Sequence, residues 1–243
     1  MNKVMTINIG NTHTHYGVCI DGKIAERGFC KTSELSSDIV PKGMRVAIAS
    51  VVPEKNEIFK EHNPLFISDK LELPVDFSAV ESEKLGADRI ANAVALAKFA
   101  KLPAICIDCG TAITIEALNQ DAIFLGGIIA PGRKLQRQSL HNYTAQLPII
   151  ENYSEKSPSA LGKTTASAII AGCDLGILEM AKGIIAKVRH ELGAPDCQII
   201  ATGGDAEFFS TNVLEIGHGG SDFTLRGIAA IYEENINVDL DKN

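Results

Sequence analysis

The chain has no excess of positive charge. Lys and Arg number 23 against 30 Asp and Glu, a formal net charge of -7. The basic footprint of a nucleic-acid or anionic-membrane binder is missing, so neither partner is expected. Long apolar runs are missing too; none approaches the roughly 18 uninterrupted residues of a membrane helix. The start, MNKVMTINIGN, has no apolar leader core and no small-residue cleavage site. A cytoplasmic chain with reduced thiols is therefore expected. Low-complexity tracts and obvious linkers are also lacking. Cysteine is sparse: six residues, at 19, 30, 106, 109, 173 and 197. Only Cys106 and Cys109 form a C-x-x-C, and no second pair exists to complete a zinc site. They lie in the strand-like run AICIDCGT rather than at the opening of a helix. Cysteine packs as a small hydrophobe, so buried thiols are the preferred reading over a redox or metal role.

What is present indicates a globular α/β protein. The 243 residues are 45% hydrophobic and 22% charged, enough for one large domain or two smaller ones around a real core. Short runs rich in Val and Ile predict strands over 4–9, 16–20, 45–50, 104–109, 112–117, 122–125 and 197–201. Longer periodic segments predict helices over 87–101, 164–191 and 225–236. Strands alternating with helices imply a partly parallel sheet. The most polar stretch between elements is ENYSEKSPSALG, residues 151–162.

One internal echo organises the rest. INIGNTHTHYGV from Ile7 aligns with IDCGTAITIEAL from Ile107, pairing Asn8 with Asp108, Gly10 with Gly110, and Thr14 with Thr114. Each copy is followed by a second strand and a hairpin turn, Asp21-Gly22 in one and Asn119-Gln120-Asp121 in the other. The echo suggests two similar domains facing each other across a cleft lined by two tight turns. Such turns aim backbone N–H groups and hydroxyls at one point, which suits phosphates. Two unrelated hairpins that share glycines would read the same way. QIIATGGDA, residues 198–206, is a strand ending in Gly203 and Gly204, where backbone can approach a flat ligand or simply turn into a helix. FLGGIIAPG, residues 124–132, offers further glycines that either serve the cleft or turn the chain. Asp88 and Arg89 open the helix after Gly86. An acid in that place is stabilised by the helix dipole by about 0.3–1 kcal/mol, which accounts for it without any chemistry. Arg89 beside it offers a planar fork for a carboxylate.

In order along the chain stand GNTHT, GADRIANAVA, IDCGTAIT, GGIIAPG, YTAQLP, LGKTTASAIIAG and ATGGDA. Together they resemble the type III pantothenate kinases, within the acetate and sugar kinase/Hsc70/actin superfamily. The resemblance spans nearly the whole chain. It implies two actin-like (ribonuclease H-like) domains, expected at 1–102 and 103–243, with a nucleotide cleft between them. It implies ATP-dependent phosphorylation of pantothenate to 4'-phosphopantothenate, the first step of coenzyme A synthesis. The stretch Asn8, Ile9, Gly10, Asn11, Thr12, His13, Thr14 and His15 resembles the first phosphate loop. Gly86, Ala87, Asp88 and Arg89 match the pantothenate site, with Asp88 as general base. Asp108 matches an acid that helps hold a monovalent cation, potassium or ammonium. Thr111 matches an ATP-contacting threonine, Thr165 a substrate contact, and Gly203 and Gly204 the adenosine motif. Magnesium would accompany ATP, and a homodimer is implied.

The chain departs from the family pattern at three positions. Asn8 stands where the family's first loop has Asp, Ala79 where it has Tyr, and Glu116 where Asp is common. Asn8 keeps an acceptor oxygen and loses a charge. Phe77 is the side chain at hand to fill the space of the missing tyrosine. These departures leave a second reading, a nucleotide-binding accessory protein on the same fold, like the Bvg accessory factors.

Overall fold

The computed structural model describes residues 3–240. Two compact units share the chain. One comprises Met1–Leu102, Glu116–Gly126 and Ser221–Asn243; the other comprises Pro103–Ile115 and Gly127–Gly220. They are not the contiguous segments 1–102 and 103–243, because the last helix returns to the first unit. That helix, α5 (Phe223–Leu240), packs on α1 (Ala87–Phe99). Gly227 lies so near the Ala91 carbonyl that a Cβ would collide with it. Thr224 donates to Asn92 Oδ1 at 2.8 Å within this buried contact. Ile90 to Leu96 are all buried, so α1 is apolar nearly all round, as a helix packed on more than one side must be.

The first unit's sheet has the order β3-β2-β1-β4-β5. Its strands are β1 (Lys3–Ile9), β2 (His13–Ile20), β3 (Lys23–Lys31), β4 (Arg45–Ser50) and β5 (Leu65–Phe66). β1 pairs antiparallel with β2, and parallel with β4 from Val4↔Arg45 to Ile9↔Ser50. Val4 to Ile7 are all buried, the continuous burial of a strand covered on both faces. Met5, Ile7, Ile9, Val46, Ile48 and Phe59 form the core here. β3 was not foreseen. It alternates exposed and half-buried residues at the sheet edge, and its charges mask the pattern. The Asp21-Gly22 turn before it has φ of 47° and 77°, as a two-residue hairpin turn needs.

The second sheet has the order β10-β9-β6-β7-β8. Its strands are β6 (Ala104–Cys109), β7 (Ala112–Leu118), β8 (Phe124–Pro131), β9 (Gln198–Thr202) and β10 (Gly217–His218). β6 pairs parallel with β9 from Ala104↔Gln198 to Asp108↔Thr202. Read from the hairpin edge, both sheets run third, second, first, fourth, fifth. The expected strand 122–125 is displaced: β8 runs through Gly126 and Gly127 to Pro131, so those glycines are strand residues rather than turns. Two helices also went unforeseen, α2 (Arg133–Asn142), rich in Arg and Gln, and the short α4 (Ala206–Asn212). α3 (Thr165–Leu192) is as expected, capped by Thr164 with Ser167 and ended by Gly193 at φ 61°. All six cysteines are free thiols, with Cys106 and Cys109 buried. No helix among the described residues is long and apolar enough to cross a membrane.

Candidate active site

In the first unit, the ends of β1 and β4 meet the start of α1. Ile9 accepts from the Val51 N–H at 3.1 Å, and a Cβ on Gly86 would lie 3.5 Å from Val51 Cγ1. Val51 thus joins the first turn to the helix that carries Asp88. This is the carboxyl end of parallel strands, where open α/β sheets bind ligands. The same Cβ would lie 2.6 Å from Asp88 Oδ1, so glycine at 86 makes room for the carboxylate. Asp88 Oδ1 accepts from the Arg89 N–H at 2.8 Å. Burial pushes the Asp88 carboxyl above its ordinary range; the Arg89 N–H and charge pull it part of the way back.

Arg89 Nε donates to Glu116 Oε1 at 2.9 Å, and its guanidinium lies 5.8 Å from the Phe124 ring. Glu116 is fully buried on β7. Its role as the carboxylate that orients Arg89 was missed in the sequence. The available signal was one acid inside the apolar run AITIEAL. Phe77 packs on Phe124 at 5.2 Å, while Ala79 is exposed.

The first loop is shorter than expected. Asn8 and Ile9 belong to β1 and His13, Thr14 and His15 to β2, leaving Gly10, Asn11 and Thr12 as the turn. Gly10 N donates to His13 O at 3.1 Å. The Ile9 side chain is buried and so offers backbone alone. Thr14 is buried as well: its hydroxyl meets Thr32 Oγ1 at 3.1 Å, and Thr32 donates to Gly10 O at 2.6 Å. Thr14 therefore braces the turn from inside. His13 and His15 flank the exposed Phe29, with His15 stacked on it at 5.9 Å. Burial and the charge of His13 lower the His15 pKa.

In the second unit, the ends of β6 and β9 come together. Gly110 N donates to Ala112 O at 3.1 Å, so this turn closes one residue sooner than the first. The structural partner of buried Thr14 is therefore buried Ile113, and the expected match with Thr114 slips by one. Thr111 is exposed on the turn, and its carbonyl accepts from Gly132 N at 2.9 Å. Gly203 has φ of 89°, and its missing Cβ would lie 2.6 Å from Asp108 Oδ1 and 2.8 Å from the Cys109 carbonyl. Gly204 faces open space within 4 Å. Thr165 is exposed in the first turn of α3.

Two observations bear on cations. Asn8 Oδ1 is buried and accepts no hydrogen bond, an oxygen left for a ligand. Asp108 Oδ1 and the Cys109 carbonyl lie so close to Gly203 that no side chain fits there; both are oxygens of the hard kind that a monovalent cation takes. No cluster of three or more His, Cys, Asp or Glu able to hold a metal occurs among the described residues. A divalent ion would therefore draw most of its ligands from phosphates and water.

A duplicated five-stranded α/β unit with a glycine turn at each first hairpin is the architecture of the actin-like ATPase class. MreB 5 of Spiroplasma citri bound to AMPPNP matches over 99% of this chain and 98% of its own, at TM-score 0.54 and 10% identity. A Campylobacter jejuni structure labelled as a Baf family transcriptional activator matches over 96% of this chain and 99% of its own, at TM-score 0.68 and 21% identity. At these identities the likeness is one of fold. The family model of type III pantothenate kinase matches residues 4–187. A type III pantothenate kinase of Caulobacter vibrioides is 37% identical over 199 residues, 78% of this chain and 75% of the relative. One from Kosmotoga olearia is 32% identical across 94% of this chain and 95% of its own. The chain belongs to the type III pantothenate kinase family.

Proposed function

We propose that this chain transfers the γ-phosphoryl group of ATP to the primary hydroxyl of pantothenate. The product is 4'-phosphopantothenate, and the reaction opens coenzyme A synthesis. Family membership supports the substrates, and one local observation carries the mechanism. Asp88 is a half-buried carboxylate with a raised pKa, next to an arginine that Glu116 holds in place. A base of that kind accepts the hydroxyl proton as the oxygen attacks, a contribution of about 10²–10⁴-fold. Arg89 pairs with the carboxylate of pantothenate. Thr165 supplies a hydroxyl to the substrate from the first turn of α3.

The turn at Gly10 to Thr12, the turn at Gly110 and Thr111, and Gly203 with Gly204 hold the nucleotide through backbone N–H groups and close approach. Phosphoryl transfer needs mainly positioning and charge neutralisation, and magnesium bound with ATP supplies the latter. Asn8 Oδ1, which has no partner of its own, would accept from water around that ion. Asp108 would hold a potassium or ammonium ion, supplying charge to balance it. We further assign the chain to the cytoplasm and to a homodimer.

A coupled ADP-release assay tests the reading, with pantothenate, magnesium and potassium present or omitted one at a time. ADP release that requires pantothenate supports the kinase. Nucleotide binding without pantothenate-dependent release would support the accessory-protein reading instead, whose motive is Asn8 and Ala79. Equal rates in potassium and in a bulky organic cation remove the monovalent site.

A further inference from the structure

We propose that Arg133 is a positioning residue for the nucleotide: through Asp205 it fixes the Gly203–Asp205 turn, and through Ser154 it ties that turn to the segment entering α3. The proposal rests on the reading of Gly203 and Gly204 as the adenosine turn. Arg133 is fully buried at the start of α2, one residue after the glycine bonded to the Thr111 carbonyl. A buried guanidinium is costly unless its charge and its donors are answered. Here Nη1 donates to Asp205 Oδ1 at 3.1 Å, Nη2 to Asp174 Oδ2 and to the Ser154 carbonyl, both at 2.9 Å, and Nε to Asp174 Oδ1 at 3.4 Å. The guanidinium carbon lies 3.7 Å from the Phe208 ring centroid.

Asp174 does not need Arg133 for its own charge. Arg137 Nη2 already grips both its oxygens, at 2.7 and 2.8 Å. The charge of Arg133 is answered by Asp205, whose side chain is 26% exposed while Arg133, Arg137 and Asp174 are buried. Asp205 is thus the open end of a closed network. Asp205 is half-buried, so its charge is short of water, and the Arg133 guanidinium both answers that charge and holds the side chain in one place. The backbone of the turn is held from the other side, where Asp205 N donates to the Cys109 carbonyl at 3.0 Å. Gly204, between the two anchors, is the residue with open space in front of it.

The same network straps the irregular segment between α2 and α3. Arg137 Nη1 donates to the Asn152 carbonyl at 2.8 Å. Asn212, at the far end of α4, donates to the Glu155 carbonyl at 2.8 Å and accepts from Ser157 N at 2.9 Å. α4 begins directly after Asp205. A shift of the turn therefore moves both ties of the strap, and the strap leads to Thr164 and Thr165.

The experiment is a double-mutant cycle on the KM for ATP, using Arg133→Met, Asp205→Asn and the double variant, with the KM for pantothenate and kcat measured alongside. Arg133→Met frees Asp205 and leaves its charge unanswered near an anionic nucleotide. It should raise the KM for ATP about tenfold, a change larger than that in kcat or in the KM for pantothenate. Asp205→Asn loosens the turn without leaving a negative charge and should raise it about threefold. The double variant should sit near Asp205→Asn, because removing the stray carboxylate rescues part of the loss. A double variant at the product of the two single effects overturns the proposal. So do shifts that fall equally on both substrates. If Arg133→Met melts too early to assay, Asp205→Asn carries the test, since Asp205 is the network's most exposed member and the amide oxygen can still accept from Arg133; an unchanged KM for ATP there is equally fatal. A wild-type chain that binds no ATP overturns the adenosine reading itself, whereas normal wild-type turnover with indifferent variants overturns only the role of Arg133.

Discussion

The two sheets share one strand order, yet their first hairpins are braced by different chemistry. The turn at Gly10 is supported by neutral hydroxyls, Thr14 to Thr32 to the Gly10 carbonyl. Near the turn at Gly110 the support is ionic, with Arg133, Arg137, Asp174 and Asp205 buried or half-buried behind Gly132 and Gly203. Neutral bonds contribute about 0.5–1.5 kcal/mol each and tolerate small shifts. A buried ion network holds only in one geometry and is costly when any member is lost. The paired positions before the two turns differ in the same sense: Asn8 is a neutral amide near the end of β1, Asp108 an acid near the end of β6. One topology thus carries a neutral turn beside the proposed proton acceptor and a charged scaffold under the proposed adenosine turn.

The largest effect should come from the first unit. Asp88→Asn should lower turnover about 10²–10⁴-fold while nucleotide binding persists. Wild-type activity in that variant would reduce Asp88 to a helix-start acid. The raised pKa adds two signs to check. The base works ionised, so kcat/KM should fall with decreasing pH at a higher pH than an exposed aspartate would give. The buried neutral form favours the fold, a stabilisation present below the ordinary carboxylate pKa and lost as pH rises through the raised one. Asp88→Asn should therefore melt above wild type at neutral pH, with the gap closing in acid.

Next come the glycines, which compare the turns directly. Gly203→Ala meets Asp108 and Cys109 at a φ of 89° and should cost about 1–3 kcal/mol and most nucleotide affinity. Gly10→Ala meets only the His13 carbonyl, at 2.9 Å, and should cost less. Gly204→Ala should leave the melting temperature alone and act on nucleotide binding only. Equal losses in all three would erase the contrast. Smaller still is Thr32→Val, which removes two neutral bonds at about 1 kcal/mol each, read by chemical denaturation. Asn8→Asp should have the least effect. It should tighten nucleotide binding a few-fold with magnesium, less so at high salt, and weaken it without magnesium. Unchanged affinity throughout would place Asn8 away from the metal.

Much of this was legible from pattern. Apolar runs marked β1, β4, β6 and β9, and longer periodic segments marked α1, α3 and α5. The glycine echo pointed to the repeated sheet, because a tight turn between strands leaves a local signature. What escaped was set by partners distant in sequence. β3 is an edge strand whose charges hide its alternation. Thr14 looked like a ligand hydroxyl until Thr32 supplied its partner. Glu116 looked like a minor substitution until Arg89 was found against it. Arg133 and Arg137 drew no reading in the sequence, and only the fold brings Asp174 and Asp205 to them. The one-residue slip between the echoes depends on where each turn closes, which identical glycines do not reveal.

The most direct measurement is the fate of the phosphate. The protein is incubated with ATP, magnesium, potassium and pantothenate, and the products are resolved by mass spectrometry and phosphorus NMR. The account predicts pantothenate heavier by one phosphoryl group, esterified at its primary hydroxyl, in equal amount with ADP. ADP formed without phosphorylated pantothenate, or nucleotide bound and never consumed, would contradict it.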